Sequence, residues 1–165
     1  MITRSVDELR RAFDEAFARP AQEVGTKADE LLAVRFADDH YLLPLRELTG
    51  LLADRRIVAL PTRNPKFLGV VGIRGTVLPV WDLGALLGQP TAERAPRWLA
   101  MASTPRVGLA FGRFDGHVRL PHGVLTTAPD RDAGAHVRAV VRMHDAVHRI
   151  VDIPSILAAI EQEQR

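Results

Sequence analysis

The side chains in this sequence with the widest choice of chemistry are its six histidines, because imidazole can both transfer protons and bind metal ions. His144 and His148 are four residues apart, but the pattern around them is that of a β-hairpin rather than a helix. His117 and His122 stand on either side of a short predicted strand. The chain has no cysteine, and no carboxylate cluster accompanies these histidines. We therefore expect no metal site and no cofactor.

No motif for nucleophilic or phosphoryl-transfer chemistry is present either. The sequence contains no Gly-x-Ser-x-Gly elbow, no glycine-rich phosphate loop and no thiol. Two regularly placed carboxylates, Asp82 and Asp152, each precede an apolar pattern typical of a helix, so we interpret them as structural N-caps. The sequence predicts a protein that is not an enzyme.

The charge pattern argues against nucleic acid and membrane partners. The chain has 22 Lys and Arg against 20 Asp and Glu, and its arginines are scattered among acids instead of forming a basic stripe with interleaved aromatics. No apolar run approaches the roughly 20 residues of a membrane-spanning helix. The N-terminus lacks the apolar stretch of a secretory signal, and the absence of cysteine fits a reducing compartment. We expect a cytoplasmic protein.

Residues 1–29 are predicted to form an amphipathic helix and a linker. Ser5 and Glu8 have capping-box spacing. Apolar residues recur at steps of three and four, namely Val6, Leu9, Phe13 and Phe17. Pro20 ends the helix, and a polar linker follows over 21–29. Two interpretations stay open: this apolar face packs on the protein's own surface, or it binds a partner.

Residues 30–165 form a second region, built from short strands and turns. Strands are predicted over 32–36, 40–45, 98–103, 107–111 and 118–120, with a helical turn over 46–52. Residues 69–88 are the clearest unit: strand, tight turn at Arg74, strand, and a helix capped by Asp82 with Leu86 on its apolar face.

The same design returns near the C-terminus. Strands are predicted over 137–142 and 146–151, and the pattern Asp-apolar-x-x-apolar-Leu of residues 82–87 recurs from Asp152 to Leu157. This repetition predicts two similar halves. About ten short strands and three helices indicate a mainly β protein made of small barrels or a sandwich.

Residues 69–87 resemble the CheW family, whose most recognisable block is Gly-Val-x-x-Leu-Arg-Gly-x-x-x-Pro-x-x-Asp-Leu. The corresponding positions here are Gly69, Val70, Ile73, Arg74, Gly75, Pro79, Asp82 and Leu83. Tyr41, the segment 45–48 and residues 150–157 are also similar to the family, so the likeness covers about residues 30–160.

The resemblance implies two small five-stranded β-barrels side by side, joined by a hydrophobic seam. It also implies a non-enzymatic adaptor without cofactors, which links the cytoplasmic tip of a chemoreceptor (methyl-accepting chemotaxis protein) to the regulatory domain of a CheA-type histidine kinase in a bacterial chemosensory array. Such a protein would work through protein–protein contacts alone.

By the same resemblance, Arg74 is the residue tied to coupling, although it could instead hold its own turn. Glu47 is a candidate contact for the kinase or receptor, or else a solvated residue. Leu45, Gly69 and Val70 are candidates for the receptor-facing groove, or else core packing.

The sequence departs from the family pattern in three places. Gly72 replaces the usual asparagine, residues 111–114 lack the family's acidic residue, and the loop over 49–56 is about two residues longer. Longer loops cost more entropy to order, so these changes keep one alternative open within the family, a diverged paralogue that binds a receptor but not the kinase. The alternative from another class is a small ligand- or nucleic-acid-binding β-barrel.

Overall fold

The computed structural model describes residues 28–90, 95–104, 106–124 and 134–163. The helix predicted over 3–19 lies outside these ranges. Ten strands within them form two five-stranded sheets. The mainly β architecture in two halves is confirmed, and each sheet is barrel-like but keeps two edge strands.

The first sheet combines the beginning and the end of the chain. Its strands are β1 (Ala28–Phe36), β2 (Asp39–Pro44), β8 (Arg113–Pro121), β9 (Val137–Met143) and β10 (Ala146–Val151). They lie in the order β8-β1-β2-β10-β9, and only β2 and β10 are parallel among them. The second sheet contains β3 (Gly50–Ala53), β4 (Phe67–Ile73), β5 (Thr76–Asp82), β6 (Trp98–Ser103) and β7 (Arg106–Phe111).

The two sheets have the same plan. The order in the second is β3-β6-β7-β5-β4, and its one parallel pair, β5 and β7, again joins the second strands of two hairpins. A helix follows each corresponding hairpin: α1 (Leu83–Leu86) after β5 and α2 (Ile153–Glu163) after β10. The backbone repeat predicted for residues 69–88 and 137–157 is confirmed.

Each helix begins at an aspartate. Asp82 Oδ1 accepts a hydrogen bond from the backbone nitrogen of Ala85 at 3.1 Å, and Asp152 Oδ1 accepts one from Ser155 at 3.2 Å. Each cap satisfies an amide that the helix leaves without a partner. Cap and helix together fix where the chain turns back into the core.

The main hydrophobic core lies between the two sheets. It draws buried side chains from both, including Leu43 and Leu109, and from both helices, including Leu86 and Leu157. Leu86 is 4% exposed and Leu157 8%. Two smaller clusters fill each half separately. The predicted seam is therefore the largest shared core of the described residues.

Three predicted boundaries were wrong. The helical turn expected over 46–52 is a 3-10 helix of three residues, Leu45–Glu47, and residues 50–53 form β3 instead, because they pair with β6. β1 begins at Ala28, inside the predicted linker, because Ala28 pairs with Pro121 of β8. β8 runs over nine residues, Arg113–Pro121, where 118–120 was expected. The prediction was too short because alternate side chains of this edge strand are exposed and polar, so the strand lacks a long apolar pattern.

Candidate functional site

Arg74 occupies the tip of the β4–β5 hairpin. Both central turn residues have positive φ, 49° at Arg74 and 78° at Gly75, which is the conformation that two-residue hairpins require. Asparagine or glycine is the usual choice at such positions. The side chain of Arg74 is exposed and makes no hydrogen bond or ion pair with any described residue. The structure therefore shows no bond from the Arg74 side chain to its own turn among the described residues.

Glu47 lies on the 3-10 helix that connects the two sheets. Its carboxylate oxygens accept hydrogen bonds from Nη2 of Arg138 at 2.6 and 2.5 Å, and its side chain is only 15% exposed. Nη2 of Arg138 is also 3.8 Å from Oδ1 of Asp152, the cap of α2. The interpretation of Glu47 as a solvated residue was wrong, because this ion pair holds it against β9.

Leu45 lies beside Glu47 and contributes to both a core and a surface. It is partly buried and packs against the main core. It also lines a cavity of about 370 Å³ together with Leu31, Arg138 and Ile150.

Gly69 is placed by a close approach of two backbones. It has a φ of 129°, and a Cβ at this position would lie 2.1 Å from the backbone oxygen of Val58. Val58 and Val70 form an antiparallel bridge through hydrogen bonds of 2.8 and 2.9 Å. Residues around Val58 thus pack along the outer edge of β4. Only glycine at position 69 leaves room for the backbone of Val58 to approach so closely.

The arrangement of two repeated β halves around a shared core is matched by a known family. A family model described as a CheW-like domain matches residues 30–161. This chain belongs to the CheW-like family. The match spans both sheets and both helices.

Relatives of this CheW-like chain agree with that assignment. A probable chemotaxis protein CheW from Rhizobium etli is 21% identical over 140 residues, which cover 81% of this chain and 90% of the relative. Chemotaxis protein CheW from Rhizobium meliloti is 23% identical with the same coverage. The scaffolding protein TtCheW from Thermoanaerobacter tengcongensis has a crystal structure that is similar with a TM-score of 0.67 at 16% identity, over 74% of this chain and 88% of that one.

The five residues predicted to contact partners in this CheW-like domain fall in three places. Leu45 and Glu47 lie beside the cavity at Arg138, Gly69 and Val70 lie at the outer edge of β4, and Arg74 lies at the hairpin tip. No local pattern identified Arg138 as the partner of Glu47, because the two residues are 91 positions apart.

The histidines of the domain do not form a metal site in the described residues, where no group of three or more potential ligands lies together. His144 is in the β9–β10 turn, whereas His148 faces His40 on the neighbouring strand with ring centroids 4.8 Å apart. Burial lowers the pKa of His148, and it also lowers the pKa of His136. No helix among the described residues is long and apolar enough to cross a membrane.

Proposed function

We propose that this chain is a non-enzymatic adaptor that links the cytoplasmic tips of chemoreceptors to a CheA-type histidine kinase within a chemosensory array. The observation that carries the proposal is Arg74, an exposed guanidinium without a described partner at the tip of the hairpin that resembles the family's signature. Its planar fork of donors suits a carboxylate or a pair of carbonyls on another protein.

The remaining candidate residues have complementary roles in this proposal. Leu45 and Val70 offer apolar contact area, since both are only partly buried. Glu47 and Gly69 stabilise the backbone beneath this surface. Glu47 does so through its ion pair with Arg138, and Gly69 by permitting the close approach of Val58. The adaptor acts in the cytoplasm, needs no cofactor, and requires neither nucleic acid nor insertion into a membrane.

A paralogue that binds a receptor but not the kinase is a weaker hypothesis on this structure. It was motivated by a longer loop over 49–56, but residues 50–53 form strand β3 and pair with β6. A segment already ordered by strand pairing costs little further entropy when a partner docks. The loss of an acidic residue at 111–114 remains in its favour.

Binding to both partners tests the proposal. The full chain is titrated by calorimetry with a purified receptor signalling tip and, separately, with a kinase regulatory domain. We expect saturable binding to each, and formation of a ternary complex on gel filtration. Binding to the receptor alone would favour the paralogue, and binding to neither would refute the adaptor role.

A further inference from the structure

The Arg74 tip forms part of a cleft whose charged residues are all arginines. The cleft has a volume of about 620 Å³ and lies between β3, the β4–β5 tip and the end of the β6–β7 hairpin. Arg55, Arg74 and Arg106 line it, and no acidic residue does. All three arginines are exposed, and none forms an ion pair or hydrogen bond with a described residue.

Several other arginines among the described residues are paired with acids. Arg35 pairs with Asp115 at 2.7 Å, Arg149 with Asp39 at 2.8 Å, and Arg138 with Glu47. Three unpaired guanidinium groups around one cleft repel each other, and this repulsion falls when an anion enters. The charge of the cleft therefore favours a negatively charged ligand.

The rest of the lining restricts what that ligand can be. The apolar side chains of the lining are those of Leu51, Leu52, Ile73, Leu78 and Met101. Its hydroxyl groups are those of Thr49, Thr76 and Ser103. The lining contains no aromatic residue on which a nucleobase could stack. An apolar floor within a cationic rim fits a peptide that carries an apolar side chain between carboxylates.

We propose that this cleft binds an acidic segment of a partner protein, with one apolar side chain on the floor and flanking carboxylates on Arg55, Arg74 and Arg106. Paired guanidinium–carboxylate hydrogen bonds would orient the segment, and the floor would exclude water from them. The inference rests on the proposed function in one respect, since it takes the segment to belong to one of the two proteins that the adaptor links.

A designed peptide tests the chemistry directly. The full chain is titrated with a twelve-residue peptide in which two leucines are flanked by glutamates, with the same peptide carrying glutamine for glutamate, and with inorganic polyphosphate. The double variant Arg55→Gln/Arg106→Gln is compared with Arg142→Gln, an exposed arginine on β9 outside the cleft and without a described partner. Circular dichroism and melting temperature establish that each variant is folded.

We expect the acidic peptide to bind wild type and Arg142→Gln equally, and the double variant about tenfold or more weakly, which is a loss of about 1.4 kcal/mol. The glutamine peptide should lose at least as much, and added salt should weaken the acidic peptide. Equal binding of the acidic peptide by the double variant would overturn the inference. So would polyphosphate that binds as tightly as the peptide, because the apolar floor would then contribute nothing.

The same variants separate this inference from the adaptor role. Both are titrated with the receptor tip and the kinase regulatory domain. The inference requires the double variant to lose affinity for one of these proteins while Arg142→Gln keeps it. If wild type binds both proteins and the double variant binds them equally well, the inference fails and the adaptor role stands. If wild type binds neither protein but binds the peptide through the arginines, the adaptor role fails and the cleft chemistry stands.

Discussion

The carboxylate of Glu47 and the guanidinium of Arg138 join the connection between the two sheets to the edge strand β9. Both hydrogen bonds come from Nη2, at 2.6 and 2.5 Å, and Nε of Arg138 is buried without a partner among the described residues. The guanidinium of Arg138 is a partly buried charge with one unsatisfied donor, so it would destabilise the fold if it also lost the carboxylate of Glu47. Glu47 is therefore first a structural residue, held by this ion pair.

Replacing Glu47 by Gln should lower the free energy of unfolding by about 1–3 kcal/mol, because Arg138 would lose its charged partner. Urea denaturation measures the change. The double variant Glu47→Gln/Arg138→Met should recover part of the loss, since it removes the stranded charge as well. Unchanged stability of Glu47→Gln combined with weaker partner binding would instead make Glu47 a direct contact.

Gly69→Ala should be strongly destabilising, by about 2 kcal/mol or more, because it adds a clash with Val58 to an unfavourable φ. Gly72 is the matched control on the same strand: it is exposed, and a Cβ there meets nothing within 4 Å. We expect Gly72→Ala to melt close to wild type and Gly69→Ala to melt far below it. Similar melting temperatures would show that residues around Val58 do not cover β4 closely.

The hairpins, caps and halves of this fold were predictable because they depend on local patterns. Asp82, Arg74–Gly75 and the repeated Asp-apolar-x-x-apolar-Leu each act over a few residues. Strand β3 was missed because it depends on pairing with β6, about 50 residues away, and not on its own composition. The arginine cleft was missed for the same reason, since Arg55, Arg74 and Arg106 are brought together only when the strands of the second sheet pair.

Leu86→Asp should unfold the protein or lower its stability by several kcal/mol, because it places an unpaired charge in the core between the sheets. Val77→Asp is the matched control, since Val77 is 67% exposed on β5. Thermal melting by circular dichroism compares the two. A Leu86→Asp variant that melts within a few degrees of Val77→Asp would contradict the position of α1 in the core.

Stability should fall as the pH is lowered from about 7 towards 5. Burial lowers the pKa values of His136 and His148 from 6.5. The unfolded chain then binds protons at these sites before the folded chain does, so their contribution is complete above pH 6.5 and is lost as the pH falls through the folded pKa values.

The double variant His136→Asn/His148→Asn should make the urea midpoint less dependent on pH in this range. His117→Asn, at an exposed position on β8, serves as the control for a histidine substitution on the surface. A double variant with the wild-type slope would assign the pH dependence to other groups.

Arg74→Asn should separate stability from partner binding. Asparagine tolerates the φ of 49° better than arginine does, and Arg74 makes no hydrogen bond or ion pair with a described residue that the substitution would break. The melting temperature should therefore stay the same or rise.

Partner binding should respond in the opposite direction, because a charge-assisted donor pair is lost from the interface. A loss of about 2 kcal/mol corresponds to roughly thirtyfold weaker binding in calorimetry with the receptor tip or the kinase regulatory domain. Asparagine still donates from its amide, so a contact that needed only one neutral hydrogen bond would survive the change. If Arg74→Asn melts lower and binds normally, the arginine stabilises its turn and the contact lies elsewhere. Normal binding at normal stability would likewise remove Arg74 from the interface. Only the combination of a preserved fold and weakened binding is consistent with a guanidinium that the hairpin tip presents to another protein.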